Sequence, residues 1–172
     1  MSSIESDIIV LMYDFIYSLV IHRAIHVRGK NTYNLHNVHE RFWNTISDNC
    51  IQQCVVDWCK VFGSNNDKTH YTKIHSVFID DFERAVAAEK INLSEYSKSM
   101  RNFRDKFIAH RDAYEQRTPI PCLDQALIIC DLFERTVLHG ECIVLEISMM
   151  DFYQKSAREI SEYLDSKHIN RV

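Results

Sequence analysis

Residues 38–63 read VHERFWNTISDNCIQQCVVDWCKVFG, and the spacing within them decides the fold class. Phe42, Ile46, Cys50, Cys54, Trp58 and Val61 recur every three or four positions, the period of one face of a helix. The spacing predicts a helix over about Val38–Phe62 with those six residues inward. Gly63 follows in the place that a left-handed helix cap prefers.

The same period extends outward in both directions. Ile4, Ile8, Met12, Phe15 and Leu19 line one face of a first helix, about Ser3–Val27, which Ser3 can cap. The stretch Arg28–Asn37, with Gly29 and three Asn, reads as a loop. A third helix is predicted over about Thr72–Lys90, with Ile74, Phe78, Phe82 and Ala85 inward. A fourth starts near Ser94, a weak cap followed by Ser97, and runs to about Ala109 with Met100, Phe103 and Phe107 on one face. Pro119 and Pro121 then break the chain. A fifth spans about Leu123–His139, with Gly140 as its stop. Cys142–Met149 reads equally as a short strand or an extended link. A last helix, about Met150–Lys167, carries Tyr153, Ala157, Ile160 and Leu164 on one face. The expectation is an all-α, single-domain bundle of five to six helices over residues 1–172.

Composition narrows the function. A chain of 172 residues is long enough to bury a sizeable core. Its 3 Gly and 2 Pro are too few for a β-sandwich or a flexible two-domain linker. Gly29, Gly63 and Gly140 stand far apart, which excludes a glycine-rich phosphate loop. The net charge of −4 disfavours a general coat for duplex nucleic acid but allows a small basic site. The apolar run Ile8–Ile21 is interrupted by Tyr13, Asp14, Tyr17 and Ser18, so no membrane span is expected. The start Met-Ser-Ser-Ile-Glu-Ser-Asp lacks the marks of a signal peptide, and a cytoplasmic location follows as the expectation. The six cysteines form no C-x-x-C pair and read as reduced, mostly core residues.

One stretch stands out for chemistry. Residues 101–111 read RNFRDKFIAHR, with Arg101, Arg104, Lys106, Arg111 and His110 set against Asp105 in an otherwise acidic chain. Such a cluster suits a phosphate, and a His at its edge suits proton transfer near neutral pH. On an ideal α-helix Arg104 and His110, six apart, point about 120° from each other. His110 instead ends the apolar stripe of Phe103 and Phe107, a placement that suits a helix seam or a subunit interface.

The string Phe103-Arg-Asp-Lys-Phe-Ile-Ala-His-Arg-Asp112 resembles the Arg–His signature of HEPN domains, with the polar residue after the Arg supplied by Asp105. Together with Trp58-Cys-Lys-Val-Phe-Gly63 and His70-Tyr71, it resembles the AbiU-like, abortive-infection branch of that superfamily. The resemblance implies a helical bundle and, in many members, a metal-independent endoribonuclease that works as a homodimer in phage-defence or toxin–antitoxin systems. Many such toxins are neutralised by a nucleotidyltransferase partner.

On that resemblance, Arg104 would hold the scissile phosphate of RNA and His110 would act as general base or acid on the 2′-OH. Asp105 would orient Arg104 or His110, and Arg101, Lys106 and Arg111 would bind substrate. No metal or cofactor is implied. The chain departs from one HEPN group at Asp112, where that group carries a Tyr that its partner modifies with AMP.

Other HEPN members lack nuclease activity, which leaves a second reading, a non-catalytic module that binds a partner protein or a nucleotide. The remaining candidates read more simply as structure. His22 with His26 and His36 with His39 have metal-pair spacing but no third ligand. Trp43 and Trp58 read as core, Asp80-Asp81 and Glu83 as a solvated face, and Cys122 as structural.

Overall fold

A buried aromatic cluster organises the chain. Phe62, 2% exposed, lies at its centre. Its ring centroid stands 5.2 Å from Trp58, 5.7 Å from Tyr71, 6.0 Å from Phe82 and 5.6 Å from Phe133. Phe82 and Phe133 cross edge to face at 5.3 Å. Tyr96 meets Trp58 edge-on at 5.2 Å. Offset and edge-to-face rings contribute about 0.5–1.5 kcal/mol per pair beyond the area they bury.

The structure, a computed structural model, describes residues 3–28, 38–74, 76–109 and 120–166, with the backbone alone at 28, 38–40 and 107–109. Six α-helices and no strand are found among these residues, so the fold is an all-α bundle. They are α1 (Ser3–Arg28), α2 (Val38–Phe62), α3 (Ile79–Ala88), α4 (Leu93–Phe103), α5 (Leu123–Phe133) and α6 (Met149–Ser166). A 3-10 turn, Tyr71–Ile74, precedes α3. Two π-helical segments, Arg104–Ala109 and Glu134–Leu138, continue α4 and α5.

The long helix α1 lies along α2 and α6. Ile8, Phe15, Ile16 and Leu19 are fully buried there. Arg23 crosses the same seam, donating to Tyr153 Oη at 2.8 Å and to Asp124 Oδ1 at 2.6 Å. Taken over residues 3–27 this helix is long and apolar enough to cross a membrane, which the shorter run Ile8–Ile21 does not suggest. Its packing accounts for one apolar face, while Val10 and Tyr17 lie exposed.

Several expectations are corrected by packing. The stretch 72–90 is not one helix: its first turn is the 3-10 segment Tyr71–Ile74, and α3 starts only at Ile79. Phe42 is 56% exposed, edge-on to Trp43, rather than inward. The cap of α4 is Asn92, whose side chain accepts from Glu95 N at 3.2 Å, and not Ser94. The fourth and fifth predicted helices each change to π geometry, immediately after the fully buried Phe103 and Phe133. Residues 142–148 form no strand: a turn at Cys142 leads into an irregular link that bends at Glu146–Ile147. Glu83 is not simply solvated, because it accepts from Tyr71 Oη at 2.8 Å and ties the 3-10 turn to α3. No two cysteines are joined by a disulfide, and only Cys54, Cys59 and Cys130 are core residues: Cys50 is half-buried, and Cys122 and Cys142 are exposed.

Gly63 and Gly140 do not sit in the left-handed region. Gly63 N donates to Cys59 O at 2.8 Å, and a Cβ there would lie 2.5 Å from that oxygen. A Cβ on Gly140 would lie 2.5 Å from the Phe78 ring. The left-handed residues are Lys90 (φ 59°) and Cys142 (φ 60°). Each ends a helix in the same way: Ile91 N reaches back to Val86 O, and Ile143 N to Leu138 O.

Glu134, 1% exposed, accepts from Met149 N at 2.7 Å and so caps the start of α6. Its second oxygen lies 3.7 Å from His139 Nε2. Burial pushes the carboxyl above its ordinary range, against the pull of the Met149 amide and His139.

Gly140→Ala should therefore destabilise the fold by about 1–3 kcal/mol through overpacking, read as a lower urea midpoint with unchanged slope. Because Glu134 is protonated more readily folded than unfolded, stability falls as pH rises from about 4.3 through its raised folded value. Glu134→Gln should flatten that slope in urea unfolding followed across the same window.

Candidate functional site

The basic stretch is presented by α4. Tyr96, Met100 and Phe103 form its inward stripe, all buried, and fix its rotation. Tyr96 Oη also donates to Cys122 O at 2.8 Å, which ties α4 to the residue before α5. Ser94, Ser97, Arg101 and Arg104 fall on another face, within about 80° of one another at 100° per residue.

Arg104 stands where α4 gives way to the π segment. π segments are uncommon and recur at functional sites. The ideal α-helical angle between positions 104 and 110 therefore does not apply, because the backbone from 104 to 109 is not α-helical. The Arg104 side chain is 29% exposed, and its Nε donates to Asp105 Oδ1 at 2.9 Å. Partial burial pulls the guanidinium pKa down, but the hydrogen bond to Asp105 and the charges of Cys59, Asp105 and Asp67 raise it overall. Arg104 is thus a permanent cation oriented through Nε. Among the described residues its two Nη groups carry no hydrogen bond, which leaves the planar fork that suits two phosphate oxygens.

The surroundings are supplied by the end of α2 and the loop after it. Cys59 is fully buried within electrostatic reach of the two arginines. Burial pushes its thiol up to about 12, against the pull of Arg104 and Arg101. A thiol so protonated is a packing residue and not a nucleophile. His70, 3% exposed, shares a hydrogen bond between its Nδ1 and Thr72 Oγ1 at 2.9 Å. Burial lowers its pKa, with Lys73 and Arg101 adding to the effect and Asp67 opposing it.

Of the six residues predicted for the site, the structure brings Arg101, Arg104 and Asp105 together at the end of α4 and the start of the π segment. Lys106 is exposed on that segment. His110 and Arg111 lie outside the described residues. Among the described residues no group of three His, Cys, Asp or Glu is placed to hold a metal ion. His22 lies beside His26 with stacked rings 5.7 Å apart and engages Ser47 through Nδ1 at 2.9 Å. Sequence reasoning missed His70 as a neighbour of the arginines, since the bend at 63–70 that carries it back to α4 has no periodic signal.

Residues 4–119 match the model of the HEPN_AbiU2 family, described as AbiU2. The match covers more than half of the chain and reaches beyond the motif region, from the first helix to just short of Ile120. Comparison with curated proteins and with solved structures gives no match.

His70 contributes stability as a neutral side chain, present above about pH 6.5 and lost as pH falls through its lowered folded value. His70→Asn should make the acid limb of the unfolding profile shallower, though not flat, because His22 is shifted in the same direction. NMR titration of the wild-type ring should place the His70 pKa below that of an exposed histidine.

Proposed function

The chain belongs to the HEPN AbiU2 family, and from that premise we propose that it is a metal-independent endoribonuclease of a phage-defence or toxin–antitoxin system. The observation that carries the reading is the state of Arg104, a partly exposed cation on a π segment, held through Nε by Asp105 with its Nη fork free among the described residues.

The chemistry follows from RNA itself. The ribose 2′-OH is a nucleophile placed next to the phosphorus it attacks, so the protein has to move protons and stabilise charge. His110 takes the 2′-OH proton, and the 2′-oxygen bonds to phosphorus. The bond from phosphorus to the 5′-oxygen breaks, and that oxygen leaves with a proton delivered by an acid at the site. The products are a 2′,3′-cyclic phosphate and a 5′-OH end. The Arg104 fork pairs with the non-bridging phosphate oxygens as charge builds on them. Asp105 keeps the guanidinium aimed, and Arg101, Lys106 and Arg111 hold flanking phosphates. DNA, with no 2′-OH, is left intact.

The working form in this reading is a homodimer, in which a second copy completes the Arg–His site. A nucleotidyltransferase-type antitoxin is its proposed neutralising partner and the cytoplasm its proposed location. The alternative, a non-catalytic module for a partner protein or a nucleotide, predicts no cleavage at all.

Purified protein should cleave single-stranded RNA in EDTA, leaving cyclic-phosphate ends, and should spare a DNA strand of the same sequence. Arg104→Ala should lower kcat/KM by about 10²–10³-fold and His110→Ala by about 10²–10⁴-fold. Asp105→Asn should cost less than either, since it leaves the cation in place. A wild-type protein that leaves a broad RNA panel intact, or one that is monomeric while cutting RNA, would sink the corresponding half of the proposal.

A further inference from the structure

A cleft of about 900 Å³ opens between the loop at 63–71 and the start of α4. Asn65 and Asn66 line it on the loop side, and Lys90, Ser94, Ser97 and Arg101 on the other. Its lining is mostly polar, unlike the apolar pockets that take drug-like molecules. Two cations, Lys90 and Arg101, face one carboxylate, Glu83, in a chain whose net charge is −4. Glu83 is already engaged by Tyr71 Oη, whereas neither cation makes an ion pair among the described residues.

The cleft ends at Arg101, one helical turn short of Arg104 in the proposed cleavage site. Ser94, Ser97 and Arg101 line the cleft along one face of α4, and following that face one turn past Arg101 leads to Arg104 at the start of the π segment. From Leu93 to Arg101 it is about 12 Å long, at 1.5 Å per residue. Lys90 stands at the far end in the left-handed conformation, φ 59°, which strains a side chain that glycine would relieve. Two cations at the ends of a neutral, hydrogen-bonding groove match an extended chain of phosphates with donors and acceptors between them for sugar and base.

We propose that this cleft binds the single-stranded RNA next to the cleaved bond, with Arg101 and Lys90 on two non-adjacent backbone phosphates and Asn65 and Asn66 on the nucleotides between them. The assignment rests on the ribonuclease reading, and it adds to that reading a substrate path on the same protomer.

Fluorescence anisotropy with a 2′-O-methyl RNA oligomer, which cannot be cleaved by attack of its own 2′-oxygen, separates binding from chemistry. Lys90→Gly and Arg101→Ala should each weaken binding severalfold and each lower the slope of log Kd against log salt by roughly 0.7, the value of one phosphate contact on a single strand. Lys90→Gly removes strain together with charge, so its melting temperature should not fall and its loss of affinity cannot be assigned to unfolding. The double variant Asn65→Ala/Asn66→Ala should weaken binding with the salt slope unchanged.

If all of these variants bind as the wild type does while the wild type cuts RNA, the cleft is off the RNA path and the ribonuclease reading stands alone. If binding depends on the cleft but no RNA is cut, the cleft assignment stands and the ribonuclease reading falls. Binding of AMP or another mononucleotide without the oligomer would overturn the strand proposal, and an absence of all binding would overturn it as well.

Discussion

The packing of Phe62 is the constraint on which the rest of this molecule depends. It is the last residue of α2, and its ring holds together Trp58, Tyr71, Phe82 and Phe133. Those rings come from α2, the 3-10 turn, α3 and α5, so one buried cluster sets the relative positions of four segments. It also places everything that follows Phe62. Gly63 is pressed against the Cys59 carbonyl, and the loop that leaves it returns so that His70 and Arg101 line one cleft. Through Trp58 and Tyr96 the same cluster fixes the rotation of α4, and therefore the face on which Ser97, Arg101 and Arg104 emerge.

Charge is distributed on the same plan. The buried carboxylates are spent on structure: Asp57, 1% exposed, takes Lys60 and Gln53, and Glu134 caps α6. The arginine held in the α1 seam, Arg23, is committed to Tyr153 and Asp124. Arg104 differs in kind. Among the described residues only its Nε is engaged, and its partner is the adjacent residue, which orients the group without burying it. A cation arranged in this way is available to a ligand, whereas a cation locked by a bidentate or deeply buried partner is not.

Much of the architecture was legible because helical periodicity reports burial directly. The bounds of α2 match the sequence reading, and Ile8, Met12, Phe15 and Leu19 of α1 are inward as the period selects, with Ile9 and Ile16 buried beside them. The errors cluster where the chain leaves the regular period. Phe42 lies outward against Trp43, so the apolar period near the start of α2 does not report burial there. The helix expected over 72–90 is shortened because Phe78 turns in against Gly140 and Tyr71 joins the aromatic cluster. The π segments leave no mark in the period, since one inserted residue shifts a face without erasing it.

The sequence alone determined the helical class, the apolar faces, the exclusion of glycine-rich phosphate chemistry, and a basic string whose likeness to HEPN domains marked Arg104, Asp105 and His110. These are local properties, carried by residue type and spacing. Only the tertiary structure decided that Arg104 sits on a π segment with Asp105 on its Nε, that Cys59 is buried within electrostatic reach of the arginines, and that Asn65, His70, Lys90, Ser97 and Arg101 border one cleft. Those residues are up to 36 positions apart, and no spacing rule connects them. They meet because the Phe62 cluster folds the 63–71 loop back onto α4, an outcome of packing between elements rather than of any element's own sequence.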